Sequence, residues 1–329
     1  MNLLTKDKMN TIKNIAIGGA IFMMSIANSL AGNQIESPRD IKSIFDETKE
    51  LCSKDNGLLW GHSLDVPILF IDEENGVIYS NKNSSKLELT EENNMYVGAL
   101  PDFIEVKKGP QKIDKRNWAV IPLPLPENKI EQQCLILHEA FHCLQPQIDL
   151  KPLPYNNNHM EEMEARLWLK LEWKALEFAL QSEGEDRKQA IIDAICFRKY
   201  RRALFSDCDG CENRFEIHEG MAEYTANKIC RTPNEFKSYL QTKLTALWES
   251  KSYVDCFAYY TGPVYAYLLD ETEANWRNQL GSKDDISILV QTAYNIALPF
   301  DVYMEAEERS VLYSGAKIMG EELDREIAL

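Results

Sequence analysis

The chain has 329 residues, with 36 Lys and Arg against 52 Asp and Glu, a formal charge of −16 and a pI near 4.9. So acidic a protein excludes a nucleic-acid backbone as partner. Hydrophobic residues at 44% and charged residues at 27% describe a packed globular chain, not a disordered, collagenous or multi-span membrane one.

At the N-terminus, Lys6, Lys8 and Lys13 precede an uncharged stretch from Ile15 to Ile26, and Ser29-Leu30-Ala31 follows with small residues where a signal peptidase reads. The pattern predicts a signal peptide over residues 1–31, cut after Ala31, and a periplasmic or secreted protein. The apolar run is about a dozen residues, short of the roughly 20 that span a bilayer, so no stable membrane insertion is expected after cleavage. Export takes all eight cysteines into an oxidising compartment, where disulfides form. Cys208-Asp209-Gly210-Cys211 lacks the second CxxC of a paired zinc site and is expected to be a loop staple.

Residues 32–127 form the first region. A helix is expected over Ile41–Leu51. Pro67–Asp72 and Val77–Ser80, joined by Glu73-Glu74-Asn75-Gly76, predict a hairpin, because β-branched and aromatic runs flank an Asn-Gly turn. Further strands are expected over Met95–Leu100 and Trp118–Leu123, with Pro122, Pro124 and Pro126 marking a sheet edge and an exit. Residues 128–329 then carry helical spacing over 130–146, 159–181, 187–204, 217–230, 234–249, 253–271, 286–296 and from 301 onward. The fold class is therefore α+β, a small N-terminal β-sheet lobe followed by a mostly helical lobe, with the helix after Asn128 at their junction.

That junction helix reads Ile136-Leu137-His138-Glu139-Ala140-Phe141-His142-Cys143-Leu144, an H-E-x-x-H motif. Residues four apart share a helix face, so His138 and His142 can reach one zinc ion, while Glu139, about 100° further round, is placed to take a proton from a metal-bound water. Leu137, Phe141 and Leu144 are expected to face the core. A zinc hydrolase needs a third protein ligand and an open fourth position. In Ile217-His218-Glu219-Gly220-Met221-Ala222-Glu223-Tyr224, Glu219 can bind metal while Glu223 braces the back of a ligand histidine, and Gly220 admits a close neighbour.

His138-Glu139-x-x-His142 followed by Glu219-Gly220-Met221-Ala222-Glu223-Tyr224 resembles the gluzincin metallopeptidases, the thermolysin-like and aminopeptidase-type zincins. The resemblance implies a zincin-like fold, Zn²⁺ held by His138, His142 and Glu219, Glu139 as general base, and Glu223 as an acidic partner behind a ligand. Ala258-Tyr259-Tyr260-Thr261-Gly262 is similar to the Tyr-x-x-Gly of the aminopeptidase-type enzymes, which implies that Tyr259 stabilises the oxyanion; an aromatic core stripe with Tyr260, Tyr265 and Tyr267 is the alternative. The Gly-x-Met-Glu-Asn strand of those enzymes is missing, Val97-Gly98-Ala99-Leu100-Pro101 standing in the corresponding region. The expected function is an exported zinc metallopeptidase acting on a peptide or protein, the alternative a catalytically silent relative kept for binding or structure.

The remaining candidates carry blander expectations. His159 is read as a cap or surface residue, His62 as a loop-edge residue and His218 as a packing residue. Leu167, Trp168, Leu171, Trp173 and Leu176 mark a core face. Arg198, Arg201 and Arg202 are expected on a solvated face.

Overall fold

The computed structural model describes residues 38–328. The signal peptide expected over residues 1–31 lies outside the described residues. Among these, no helix is long and apolar enough to cross a membrane.

The chain opens with α1 (Pro38–Asp55), whose acidic first turn and basic last turn suit the helix dipole. Six strands follow: β1 (Ile68–Asp72), β2 (Val77–Ser80), β3 (Thr90–Glu92), β4 (Met95–Ala99), β5 (Gly109–Ile113) and β6 (Arg116–Pro122). They form one mixed sheet in the order β3-β4-β2-β1-β6-β5, in which only the β1–β6 pair is parallel. The β1–β2 hairpin turns where expected. Gly76 takes a positive φ of 62°, and the Asp72 side chain accepts from the Asn75 amide at 3.0 Å.

Alternation along the strands sends Ile68, Phe70, Ala119 and Ile121 to the main core and Leu69, Ile71, Trp118 and Val120 to a smaller core with Leu87, Ile104 and Ile113. Two strands escaped the sequence reading. β3 is wholly exposed and β5 buries only Ile113, and both lie at sheet edges where no apolar alternation is demanded. The expectation that β6 forms an edge is corrected. It lies between β1 and β5, and Pro122 is tolerated because it is the last residue of the strand.

Beyond the sheet the chain is helical: α2 (Lys129–Leu144), α3 (Met163–Gln181), α4 (Gly184–Leu204), α5 (Cys208–Phe215), a π turn over Glu216–Gly220, α6 (Met221–Cys230), α7 (Pro233–Trp248), α8 (Ala258–Asp270), α9 (Ile286–Ala293), α10 (Val302–Ser310) and α11 (Gly315–Ala328). The molecule is thus α+β, a six-stranded sheet followed by a mostly helical region. Asn128 caps α2, its side chain accepting from the amides of Ile130 and Glu131. Every α2 residue from Gln132 to Leu144 is buried, because the helix is enclosed by α1, β6 and α6. Leu137, Phe141 and Leu144 join the core as expected, as do Leu167, Trp168, Leu171, Trp173 and Leu176 of α3. The main core runs unbroken from Ile41 and Phe45 of α1 through Phe70 and Phe141 to Trp173 and Tyr260.

The arginine cluster is not a solvated face. Arg198 and Arg201 are 1% and 0% exposed. Arg198 donates to Glu216 at 2.8 Å and to Glu172 at 3.2 Å, Arg201 donates to Glu212 at 2.9 and 3.1 Å, and Arg202 bridges Glu212 at 2.7 Å and Asp285 at 2.6 Å. These carboxylates come from α3, α5, the π turn and the start of α9, so nothing near residues 198–202 announces them. His159 is likewise no surface residue, since its Nε2 lies 2.8 Å from Glu212. Cys208 and Cys211 sit on the first turn of α5 as free thiols, not as a staple. His62 is exposed in the loop before β1.

Candidate metal centre

The junction helix and the π turn bring three side chains together. His138 Nε2 lies 3.0 Å from His142 Nε2 and 3.2 Å from Glu219 Oε2, and His142 Nε2 lies 3.4 Å from the same oxygen. Two bonds of about 2.0–2.1 Å meeting at a tetrahedral angle separate their donor atoms by about 3.3 Å. The triangle has the size of one face of such a site.

The surrounding hydrogen bonds fix which atoms face inward. Gln145 Nε2 donates to the carbonyls of Ile217 and His218 at 3.1 and 2.9 Å, so its Oε1 faces His142 Nδ1 at 2.8 Å, and that nitrogen is the donor. His142 Nε2 therefore presents a lone pair. His138 Nδ1 faces Glu223 Oε2 at 3.5 Å, where a lone pair would be repelled, so the proton belongs there too and the second Nε2 also points inward as an acceptor. Two lone pairs and a carboxylate oxygen converging on one buried point repel each other unless a cation or a proton sits among them. The proton state reflects this: burial pulls His138 down, but the neighbouring carboxylates of Glu219 and Glu223 outweigh that and push it up to about 9. Glu219, which burial alone would raise, is held well below the usual carboxylate range by His142 and His138.

Glu223 stands where expected, behind His138, and is itself held. Its other oxygen accepts from the Tyr239 hydroxyl and lies 3.2 Å from Lys243 Nζ. Burial opposes its charge, but Lys243 and His138 keep it ionised far below the ordinary value. Tyr239 and Lys243 both come from α7, an element the motif spacing does not reach. Gln145 was also missed, although its position three residues after His142 puts it within reach of the ring.

Glu139 is on α2 beside the triangle, 2% exposed, with Lys108 Nζ at 3.6 Å. Lys108 directly precedes β5, so the edge strand delivers a cation to the carboxylate. Tyr259 also reaches the site: its hydroxyl donates to Glu219 Oε2 at 2.6 Å and its ring stacks on that of His138 at 5.8 Å. Tyr260 and Tyr265 are core residues by contrast, as the stripe reading has it. His218 does more than pack. Its ring lies 4.5 Å from that of His142, and its Nδ1 is 3.2 Å from Glu219 Oε1. Burial and the neighbouring His142 pull its pKa down.

Two glycines make the assembly possible. A Cβ on Gly220 would meet the Ala258 carbonyl at 2.9 Å, and one on Gly262 would meet the Gly220 Cα at 2.7 Å. The close neighbour expected at Gly220 is thus the first turn of α8, which carries Tyr259. The extra residue of the π turn re-aims Glu219 relative to α6, a common use of such turns.

Among the described residues one other group has metal-ligand types, His159, Cys208 and Glu212. Its carboxylate is already shared by Arg201 and Arg202, and a further cation there would be repelled. A cleft of about 770 Å³ lined by Phe178, Trp248, Leu312 and neighbours shares no residue with the His138 site. No protein-family model, curated protein or solved structure matches the chain.

Proposed function

We propose that this chain is an exported zinc-dependent metallopeptidase, or a closely related amide hydrolase, with a zincin-like arrangement of gluzincin type. The observation that carries this reading is the triangle of His138 Nε2, His142 Nε2 and Glu219 Oε2, with edges of 3.0, 3.2 and 3.4 Å. Two imidazoles and one carboxylate are the ligand set of zinc hydrolases that keep a fourth position open. When bound, zinc supplies Lewis acidity, lowering the pKa of a coordinated water to about 7 and polarising a carbonyl.

The chain's own groups have separable tasks. Glu139 accepts the proton of the attacking water and returns it to the leaving amine, with Lys108 countering its charge. Tyr259 has a hydroxyl at the ligand cluster and donates to the developing oxyanion once substrate competes with Glu219 for it. Gln145 and Glu223 keep both Nε2 atoms facing inward. The substrate is a peptide or protein.

The test is E139Q. The variant should bind one zinc per chain, as the parent does, and lose turnover of a mixed peptide library; undiminished turnover overturns the mechanism. The second reading, a silent metallopeptidase-like binding protein, is favoured by one observation, the 2% exposure of Glu139. Hydrolysis by the parent that is abolished by a chelator and restored by zinc rejects it.

A further inference from the structure

The helix α11 meets the rest of the molecule through one face. Ile318 and Glu322 are buried on the side of α3, where Glu322 accepts from Arg166 Nε at 2.5 Å and lies 2.7 Å from Lys170 Nζ. The opposite face carries Ala316, Gly320, Leu323 and Ile327, at intervals of four, three and four residues, within about 60° of helical arc. All four are exposed, Leu323 at 46% and Ile327 at 84%. The solvent side of a surface helix is ordinarily polar, so an apolar line down its middle calls for a partner. Gly320 points the same way. It stands inside the helix, where glycine is less favourable than alanine, and a Cβ there would meet nothing within 4 Å. Among the described residues nothing requires a glycine at that point, whereas Gly220 and Gly262 are each required by the other's backbone.

We propose that this face is a homodimer interface, in which α11 packs antiparallel against α11 of a second copy about a two-fold axis. Size complementarity selects the partner. Setting Gly320 opposite Leu323 of the second copy sets Ala316 opposite its Ile327 in the same alignment, and the two-fold axis repeats both contacts. Each large side chain then lies over a small residue, and the open space beside Gly320 is what Leu323 fills. A parallel arrangement would bring large residues onto large ones and hold the small ends apart. Charge selects the same arrangement. Lys317 and Asp324, seven residues apart, share one flank of the apolar line; in antiparallel helices like flanks meet, so Lys317 of each copy comes beside Asp324 of the other. Asp324 has no ion pair among the described residues, and Lys317 has only Glu321 of its own helix, at 3.6 Å and open to solvent. One helix of 14 residues against its copy is a small interface, under about 1,200 Å² in total, so the dimer is reversible. It uses no residue of the His138 site and stands without any metal there.

The test is sedimentation velocity of the full chain from micromolar to near-millimolar concentration. The expected result is a monomer that passes to a dimer, and to nothing larger, as concentration rises. G320L fills the groove without meeting anything inside the chain, and L323E puts a carboxylate at its centre. Both positions are exposed, so the melting temperature of the dilute chain should not fall in either variant, while each should raise the dimer dissociation constant by about tenfold or more. K317D should weaken the dimer and K317D/D324K should restore it. A chain that stays monomeric at the highest concentration overturns the proposal, as does growth past the dimer or a dimer that either G320L or L323E leaves intact. Failure of the charge exchange to restore association overturns the antiparallel alignment.

Discussion

Gln145 holds His142 by accepting from its Nδ1 at 2.8 Å while its own amide nitrogen is committed to the carbonyls of Ile217 and His218. One side chain thus fixes the ring's tautomer and ties the end of α2 to the turn that carries Glu219. Replacing Gln145 by Ala should weaken metal binding by roughly 10–100-fold, the usual effect of losing a partner behind a metal-binding histidine. Competition with a chromophoric chelator measures it, and unchanged affinity would separate Gln145 from the site.

Tyr259 distinguishes two roles that the geometry superimposes. Its hydroxyl donates to Glu219 at 2.6 Å and lies where an oxyanion donor is wanted. If the phenol serves the transition state, Y259F keeps one zinc per chain and loses roughly 10²–10³ in kcat with KM little changed. A fall in zinc content with kcat per bound zinc preserved would make Tyr259 a support for Glu219 alone.

How much was legible follows from how local each signal is. His138, Glu139 and His142 lie within two helical turns, and the close approach at Gly220 follows from its lack of a side chain, whereas its partner Gly262 is brought in only by the fold. Glu219 and Glu223 follow from spacing within one short segment. Tyr239 and Lys243, which brace Glu223, are contributed by α7, whose own sequence is an ordinary amphipathic helix, so only the fold brings them in. The same distance misled the reading of Arg198, Arg201 and Arg202, whose partners span Glu172 to Asp285. Edge strand β3 has no buried residue to declare, and β5 only Ile113.

The crossing of Gly220 and Gly262 gives a structural prediction. A methyl at residue 262 would lie 2.7 Å from the Gly220 Cα and 3.3 Å from the Glu216 carbonyl, all backbone that cannot rotate away. G262A should therefore push α8 from the π turn, costing about 1–3 kcal/mol and weakening zinc binding together with stability. Denaturant unfolding and metal titration of the same preparation check it. A variant as stable as the parent would show that the two segments have room to separate.

The buried network behind α5 sets an acid limit on the fold. Burial would raise Glu212, yet Arg201 and Arg202 hold it well below the ordinary carboxylate value, and Asp285 is depressed in the same way by Arg198 and Arg202. A carboxylate depressed in the folded state binds protons more tightly when unfolded, so its stabilising effect is complete above the unfolded value near 4 and is lost as pH falls below it. Through this network the melting temperature should drop steeply from about pH 5 to 3. R201M leaves Glu172 and Glu212 short of a buried partner and should cost about 3–5 kcal/mol at pH 7. Without Arg201, Glu212 is less depressed, so the acid limb of the variant should be shallower and the gap to the parent should narrow as pH falls. Parallel curves for parent and variant would show that acid unfolding begins elsewhere than at this network.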